Sequence, residues 1–239
     1  MLENYKPEKV LFLDIETVPV VQLFSELSNE MQKLWERKAQ QLGKDGQAPD
    51  EIYQRAGIYA EFGKIICISF GIFHIKEGLR HIRIKSICND NEKIILTDFA
   101  ALLKKLNTSN DLYLCAHNGK EFDFPYISRR MLINGIQIPF ILDVSGKKPW
   151  ETSFLDTMEM WKFGDYKNYT SLNLLTHLFN IPSPKADIDG SQVASVYWVD
   201  KNLPRISHYC QNDVLAIMQL FMKFKGEEVI SDERIEFVS

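Results

Sequence analysis

A four-residue apolar run, Val10-Leu11-Phe12-Leu13, leads straight into Asp14-Ile15-Glu16-Thr17. A continuous run of branched and aromatic side chains has no polar face, so it predicts a strand buried on both sides, from Lys9 to Leu13. Residues two apart on a strand point to one face, which sets Asp14 and Glu16 side by side at the C-terminal end of that strand. Two carboxylates held there repel each other and resist leaving water unless a cation or a shared proton compensates. The alternative is a strand that has already ended, with both acids solvated. With 32 acidic residues among 239, an Asp-x-Glu is also expected by chance, and Asp90-Asn91-Glu92 is a second example without that context.

Beyond this start the chain alternates. Phe24, Leu27, Met31, Leu34, Trp35 and Leu42 recur at helical spacing, Gly43 to Pro49 reads as a loop, and Glu51 to Tyr59 as a second short helix, so an insert of about 21–62 follows the first strand. Core-covering helices are its default reading; a lid, a strand guide or a partner surface are the functional ones. Lys64 to Ile75 and Leu79 to Cys88 predict two strands joined by Lys76-Glu77-Gly78, a hairpin spacing. Glu92 to Leu106 predicts an amphipathic helix, and Leu112 to Ala116 a further buried strand running into His117-Asn118-Gly119. A helix from Asp123 to Leu132, a loop over Asn134 to Pro149, a strand at Ser153 to Thr157 and a last long helix from Pro204 to Phe224 complete the pattern. Three strands followed by alternating strands and helices indicate an α/β fold, a mixed sheet flanked by helices, in a single domain over 1–239.

Two more acids stand in odd places. Asp123 opens a helix with Pro125 in its first turn, which suits an N-cap, yet it follows a buried strand and so lies at the sheet edge where ligands of open sheets bind. Asp213 sits beside the apolar stripe of the last helix, marked by Ile206, Cys210, Val214, Ile217, Phe221 and Phe224, where an ionised carboxylate needs a partner or a route to water. Tyr209 is four residues before Asp213 and shares its helix face.

Taken in order, Asp14-Ile15-Glu16-Thr17, Asn118-Gly119-x-x-Phe122-Asp123-x-Pro125-Tyr126 and Tyr209-Cys210-x-x-Asp213 resemble the motifs of the DEDD superfamily of 3′-5′ exonucleases, in its tyrosine-bearing (DEDDy) branch. More closely, the chain resembles the proofreading-exonuclease domain of family B DNA polymerases and the stand-alone bacterial proteins related to it. That resemblance implies a ribonuclease H-like fold with a five-stranded mixed sheet. It also implies hydrolysis of the 3′-terminal phosphodiester of single-stranded nucleic acid, DNA favoured over RNA, by two divalent ions, releasing nucleoside 5′-monophosphates. By motif, Asp14, Glu16 and Asp213 would hold the ion that binds the attacking water, Asp14 would bridge to the second, and Asp123 would support that one. An all-carboxylate set suits Mg²⁺ or Mn²⁺ and offers no thiolate or imidazole to favour zinc. His208 and Tyr209 satisfy the spacings of the two DEDD branches; Tyr209 is favoured, because a residue five before Asp213 lies about 140° away around the helix. Thr17, Asn118 and Phe122 would contact the terminal nucleotide, each with a core or capping alternative. Lys147, Lys148, Lys162, Lys167 and Lys185 could follow the phosphate backbone, and Trp35 and Trp161 could stack on bases, although a solvated face and buried packing are the plainer readings. The residues after Asp213 are too few for a polymerase domain, so proofreading in cis is not expected.

Composition excludes some classes. A net charge of −4 with 45% hydrophobic residues describes a folded protein without a basic coat. The scattered Cys67, Cys88, Cys115 and Cys210 form no Cys-x-x-Cys pair, so reduced, buried thiols are expected. No apolar run is long enough for a signal or a membrane span, which predicts a cytoplasmic protein. An aspartyl phosphatase usually wants a second Asp where Glu16 stands. A non-catalytic binding module would have no need of all four acids, and an exoribonuclease differs only in contacts that the sequence does not place.

Overall fold

β1 (Val10–Pro19) lies at the centre of a six-stranded mixed sheet in a computed structural model that describes residues 2–42, 47–165, 169–182 and 187–238. The order is β5-β4-β1-β2-β3-β6. β2 (Gly63–Lys76) runs antiparallel to β1, and β3 (Leu79–Cys88) antiparallel to β2. β4 (Tyr113–Ala116) pairs parallel to β1, and β5 (Phe154–Asp156) parallel to β4. The sixth strand, β6 (Ile235–Val238), adds to β3 at the far edge; it is short and only partly buried, so its residues carry little strand signal.

β1 is longer than its apolar run. The antiparallel ladder with β2 continues through Asp14 opposite Ser69 and Glu16 opposite Cys67 to Pro19 opposite Gly63. On the other side, pairing with β4 stops at Phe12 opposite Cys115. Asp14 and Glu16 therefore lie inside a strand that is hydrogen-bonded along one edge and open along the other. The register slips between Glu16 and Thr17, leaving Ile66 as the extra residue of a bulge, a local feature that re-aims side chains.

Helices cover both faces. Leu11, Leu13 and Ile15 pack with Ile95, Phe99 and Leu103 of α2 (Glu92–Leu106) and with Phe124 and Ile127 of α3 (Asp123–Ile133). Val10 and Phe12 pack on the opposite face with Val214, Ile217 and Phe221 of the long helix Leu203–Phe224. Phe12 meets the Phe73 and Phe221 rings edge-on, at 5.4 and 5.1 Å. Gly71 permits this close approach, since a Cβ there would stand 2.5 Å from Met218 Sδ.

The insert is a helical unit with its own core. α1 (Asn29–Leu42) and a 3-10 turn at Tyr53–Ile58 enclose Trp35, whose indole donates to the Pro49 carbonyl at 2.8 Å. Trp35 is thus a core residue, and Trp161 likewise packs against Phe179 and Phe224. A buried fork fixes the insert to the sheet: Arg130 grips Glu92 at 2.6 and 2.9 Å and donates to the Ala60 carbonyl at 2.8 Å, while Glu92 also accepts from the Ile65 N–H at 2.7 Å. Tyr126 ties the same region down through the Gly57 carbonyl at 2.8 Å.

Cysteine pairing departs from the sequence expectation. The β2–β3 register places Cys67 opposite Cys88, Cα atoms 4.2 Å apart, joined as a disulfide; Cys115 and Cys210 are free and buried. No helix among the described residues is long and apolar enough to cross a membrane.

Candidate active site

Alternation along β1 sets Asp14 and Glu16 on the face of Val10 and Phe12, beneath the long helix, here numbered α7 after α4 (Thr157–Lys162), α5 (Leu172–Leu178) and α6 (Val193–Trp198). α7 carries Tyr209 and Asp213 one turn apart, and the Tyr209 hydroxyl hydrogen-bonds the Asp213 carboxylate. Cys210, on the same helix, donates its thiol to both the Asp14 carbonyl and Asp14 Oδ2 at 3.4 Å. Ligand atoms of Asp14, Glu16 and Cys210 all lie within 4.8 Å of one another, so a sulfur does sit beside the carboxylates, contrary to the expectation from residue types alone. Burial pushes the Cys210 thiol well up, and Asp14 and Glu16 push it further, so it stays a neutral donor. His208 is exposed.

Asp123 arrives from the other side. It does not cap α3: Phe122 precedes the helix without a side-chain cap, and Asp123 Oδ1 instead accepts the Ile15 N–H at 3.1 Å. That N–H points to the edge of β1 that β4 has left open, and a buried donor must find some acceptor. Asp123 is thereby fixed next to the Asp14–Glu16 pair.

All four carboxylates are held above their ordinary range. Burial lifts Asp14 and Glu16 well up, with the neighbouring acids adding to it. Burial raises Asp123 to about 7 and Asp213 to about 6, and the bond from Tyr209 restrains Asp213. Tyr209 itself is pushed up by burial and by the Asp213, Glu16 and Asp14 charges, so it remains a neutral phenol. Glu16 and Asp123 are buried and Asp14 and Asp213 half-buried, so four acids that repel one another share a site that favours positive charge.

A fifth acid organises the loop after β4. Asp156, 2% exposed, accepts the N–H groups of Asn118 at 2.9 Å, Lys120 at 3.1 Å and Met158 at 2.9 Å, so one carboxylate both holds the Asn118 loop and caps α4. An Asp closing a short strand before a helix carries an N-cap signal, but its grip on Asn118 has none. Asn118 takes the left-handed conformation at φ +63°, and its side-chain Oδ1 is buried without a partner. His117 bonds Thr157 Oγ1 at 2.9 Å and the Thr170 carbonyl at 2.8 Å. Burial lowers its pKa, so it is neutral, with the proton on Nε2 facing the carbonyl.

That tether presents Tyr169, which the sequence analysis missed, at the rim. Its ring is 69% exposed, while burial and the charges of Asp123, Asp14 and Asp156 raise its hydroxyl. Phe122 is half-buried with its ring 5.4 Å from that of Tyr126, and Thr17 lies beside the Tyr126 hydroxyl. Lys147 and Lys148 lie over the exposed Phe140 and Trp150 rings at 4.6 and 5.2 Å, Lys162 ends α4, and Lys167 and Lys185 fall outside the described residues.

A ribonuclease H-like sheet with a carboxylate cluster at the open edge of its central strand has the architecture of a polymerase-type exonuclease domain. The structure of the family B DNA polymerase from the hyperthermophilic archaeon Pyrobaculum calidifontis superposes on 92% of this chain with a TM-score of 0.54 at 15% identity; the chain spans 25% of that polymerase. Residues 58–234 match the family model described as "Predicted 3'-5' exonuclease related to the exonuclease domain of PolB", and the chain belongs to that family. No curated protein sequence matches it. Asp14 and Glu16 precede the matched segment, so the fold, rather than the family match, brings them to Asp123 and Asp213.

Proposed function

We propose that residues 1–239 act as one metal-dependent 3′-5′ exonuclease domain, working in the cytoplasm on the 3′ end of a single strand, with DNA favoured over RNA. The observation that carries this reading is the convergence of Asp14, Glu16, Asp123 and Asp213 from three elements on one site, all with raised carboxyls. The oxygen donors fit Mg²⁺ or Mn²⁺, and the protonated Cys210 serves as a donor to Asp14 rather than as a soft ligand. Asp14, Glu16 and Asp213 would hold one ion, and Asp14 with Asp123 the second. Bound there, two such ions supply the positive charge that acidifies water and neutralises a departing oxygen.

The chain's own residues supply the rest. Tyr209, neutral and anchored to Asp213, directs its hydroxyl at the attacking water and orients it in line with the scissile bond. Water oxygen bonds to phosphorus, its proton passes to solvent, the bond from phosphorus to the 3′ oxygen breaks, and that oxygen takes a proton from solvent. A nucleoside 5′-monophosphate leaves and the strand keeps a free 3′-hydroxyl. Asn118, with its unpartnered Oδ1, and Thr17 and Phe122 line the side where the terminal nucleotide sits, and the exposed Tyr169 ring offers a stacking face.

The test is cleavage of matched 5′-labelled DNA and RNA single strands with Mg²⁺, Mn²⁺ or EDTA. The expected result is a ladder shortening from the 3′ end, dependent on metal and absent in Asp14→Ala. A folded, metal-binding protein that cleaves neither strand would refute the proposal.

A further inference from the structure

The sheet face that bears the acids carries a second polar cluster. Val18 lies two residues past Glu16 on the same face, about 7 Å further along β1. Lys64 is its partner across the ladder, so the Lys64 side chain stands on that face too. There Lys64 meets the last turn of α6. Its ammonium donates to the Tyr197 hydroxyl at 2.9 Å, and that hydroxyl donates to Asp90 at 2.9 Å. The Lys64 ammonium also lies 4.9 Å from the Trp198 ring centre, and Lys201, just past α6, lies 5.0 Å from it. Asp90, Tyr197, Trp198, Lys201 and Leu203 line a pocket of about 280 Å³.

Two features of this pocket want an anion. The only carboxylate lining it, Asp90, is answered through Tyr197 by Lys64, which leaves Lys201 with no carboxylate partner among the described residues. The Trp198 indole N–H is buried and has no acceptor, an unmet donor that costs free energy until something accepts from it. The Lys64 and Lys201 ammonium groups both lie against the Trp198 ring, a cation–π arrangement in which Asp90 offsets only one of the two positive charges.

The position says which anion. Leu203 opens α7, Tyr209 follows six residues later, about 9 Å up the helix, and Asp213 about 15 Å up. Trp198, Leu203 and Tyr209 border one apolar cluster, so the pocket and the candidate catalytic tyrosine flank the same patch of side chains. We propose that this pocket is a phosphodiester subsite: Lys201, packed on the Trp198 ring, binds a backbone phosphate of the substrate strand a few nucleotides upstream of its 3′ end, and the ring turns its buried N–H toward the same phosphate. The inference rests on the exonuclease reading of the acidic site and adds the path by which the strand leaves it. A subsite here binds phosphate without reading bases, as a nuclease that shortens any sequence requires.

The experiment measures two quantities. Binding of 3′-hydroxyl oligothymidylates of increasing length is followed by fluorescence anisotropy with Ca²⁺ in place of Mg²⁺, intact oligonucleotide being verified on gels, in the unmodified protein, Lys201→Glu and Trp198→Phe. Hydrolysis of the p-nitrophenyl ester of thymidine 5′-monophosphate, which can occupy only the acidic site, is measured with Mg²⁺. In the unmodified protein affinity should rise with length and then level off. Lys201→Glu should weaken binding of the longer strands about fivefold, the size of one charge-assisted contact, and Trp198→Phe should weaken it in the same length-dependent way. Lys201→Glu should also flatten the salt dependence of binding by about 0.7 in slope, one phosphate contact. Hydrolysis of the ester should be unchanged in both variants. Equal losses on the ester and the strands, or variants that keep the length dependence and the salt slope, would overturn the subsite. An unmodified protein that hydrolyses neither ester nor strand would refute the exonuclease reading, while the binding curves would still decide the subsite.

Discussion

The Ile15 N–H donates to Asp123 Oδ1 at 3.1 Å, a bond between residues 108 positions apart. It occupies the edge of β1 just past its last pairing with β4, where the ladder ends and a buried donor is left over. The structural need of the strand and the position of a candidate metal ligand are met by the same carboxylate, so substitutions at Asp123 separate stability from activity.

Asp123→Asn keeps an oxygen for the Ile15 N–H and removes one charge from a repelling cluster. Melting in EDTA should show a midpoint equal to or above that of the unmodified protein, while exonuclease activity falls at least a hundredfold, as expected for loss of a group that stabilises the transition state. Asp123→Ala strands the N–H and should cost about 1–3 kcal/mol in denaturant titration. Equal stability losses in the two variants would mean that the bond contributes nothing.

Stability without metal should fall as pH rises. The folded carboxyls titrate above their unfolded values, Asp213 at about 6 and Asp123 at about 7 against 3.8, so the folded state binds more protons between about pH 4 and 7. Their raised values favour folding at the acid end of that window, and the advantage is lost as the groups ionise. Thermal melts in EDTA from pH 4.5 to 8 should show the midpoint decreasing, and Mg²⁺ should restore it at the alkaline end by binding only the folded state. A midpoint that climbs over this window, or one that Mg²⁺ leaves unmoved, would contradict the charge-starved site.

Tyr209→Phe removes the hydroxyl bonded to Asp213 and leaves the ring in place. Turnover should fall about a hundredfold, a common loss for a positioned proton-handling group. His208→Ala, at an exposed position, should change it little. Steady-state rates on a single-stranded substrate rank the two, and the reverse order would give the water-orienting role to His208.

Asp156→Ala should act through structure. It frees the N–H groups of Asn118, Lys120 and Met158 at once, which predicts a loss of several kcal/mol, about 1 to 3 for each donor that stays buried and unsatisfied. Urea titration gives the loss directly. A value below about 1 kcal/mol would show that the loop finds other acceptors.

Tyr169→Ala offers the opposite contrast. With the ring 69% exposed, the melting temperature should be nearly unchanged, while KM for single-stranded DNA rises and Tyr169→Phe restores it if stacking is the contact. A KM in Tyr169→Ala equal to that of the unmodified protein would remove Tyr169 from the substrate surface, and a Tyr169→Phe variant that fails to restore it would move the contact from the ring to the hydroxyl.

Local periodicity made part of this legible from residues alone. The alternation of a strand puts Asp14 and Glu16 on one face, and a four-residue step puts Tyr209 beneath Asp213, because both follow from backbone geometry within a few residues. The order of strands and helices likewise announced a mixed sheet with flanking helices. The apolar run understated β1, since what carries the strand on to Pro19 is its partner β2 and not its own hydrophobicity.

The sequence by itself determined which acids share a face and which helix carries the tyrosine. Only the tertiary structure decided that Asp123 completes the edge of β1, that Asp156 holds a loop 38 residues earlier, and that Cys210 reaches Asp14 across 196 residues. The difference is physical: a side chain's direction along its own element is set by local dihedrals, whereas its partner depends on which distant backbone donor or charge the packing of the sheet leaves unsatisfied.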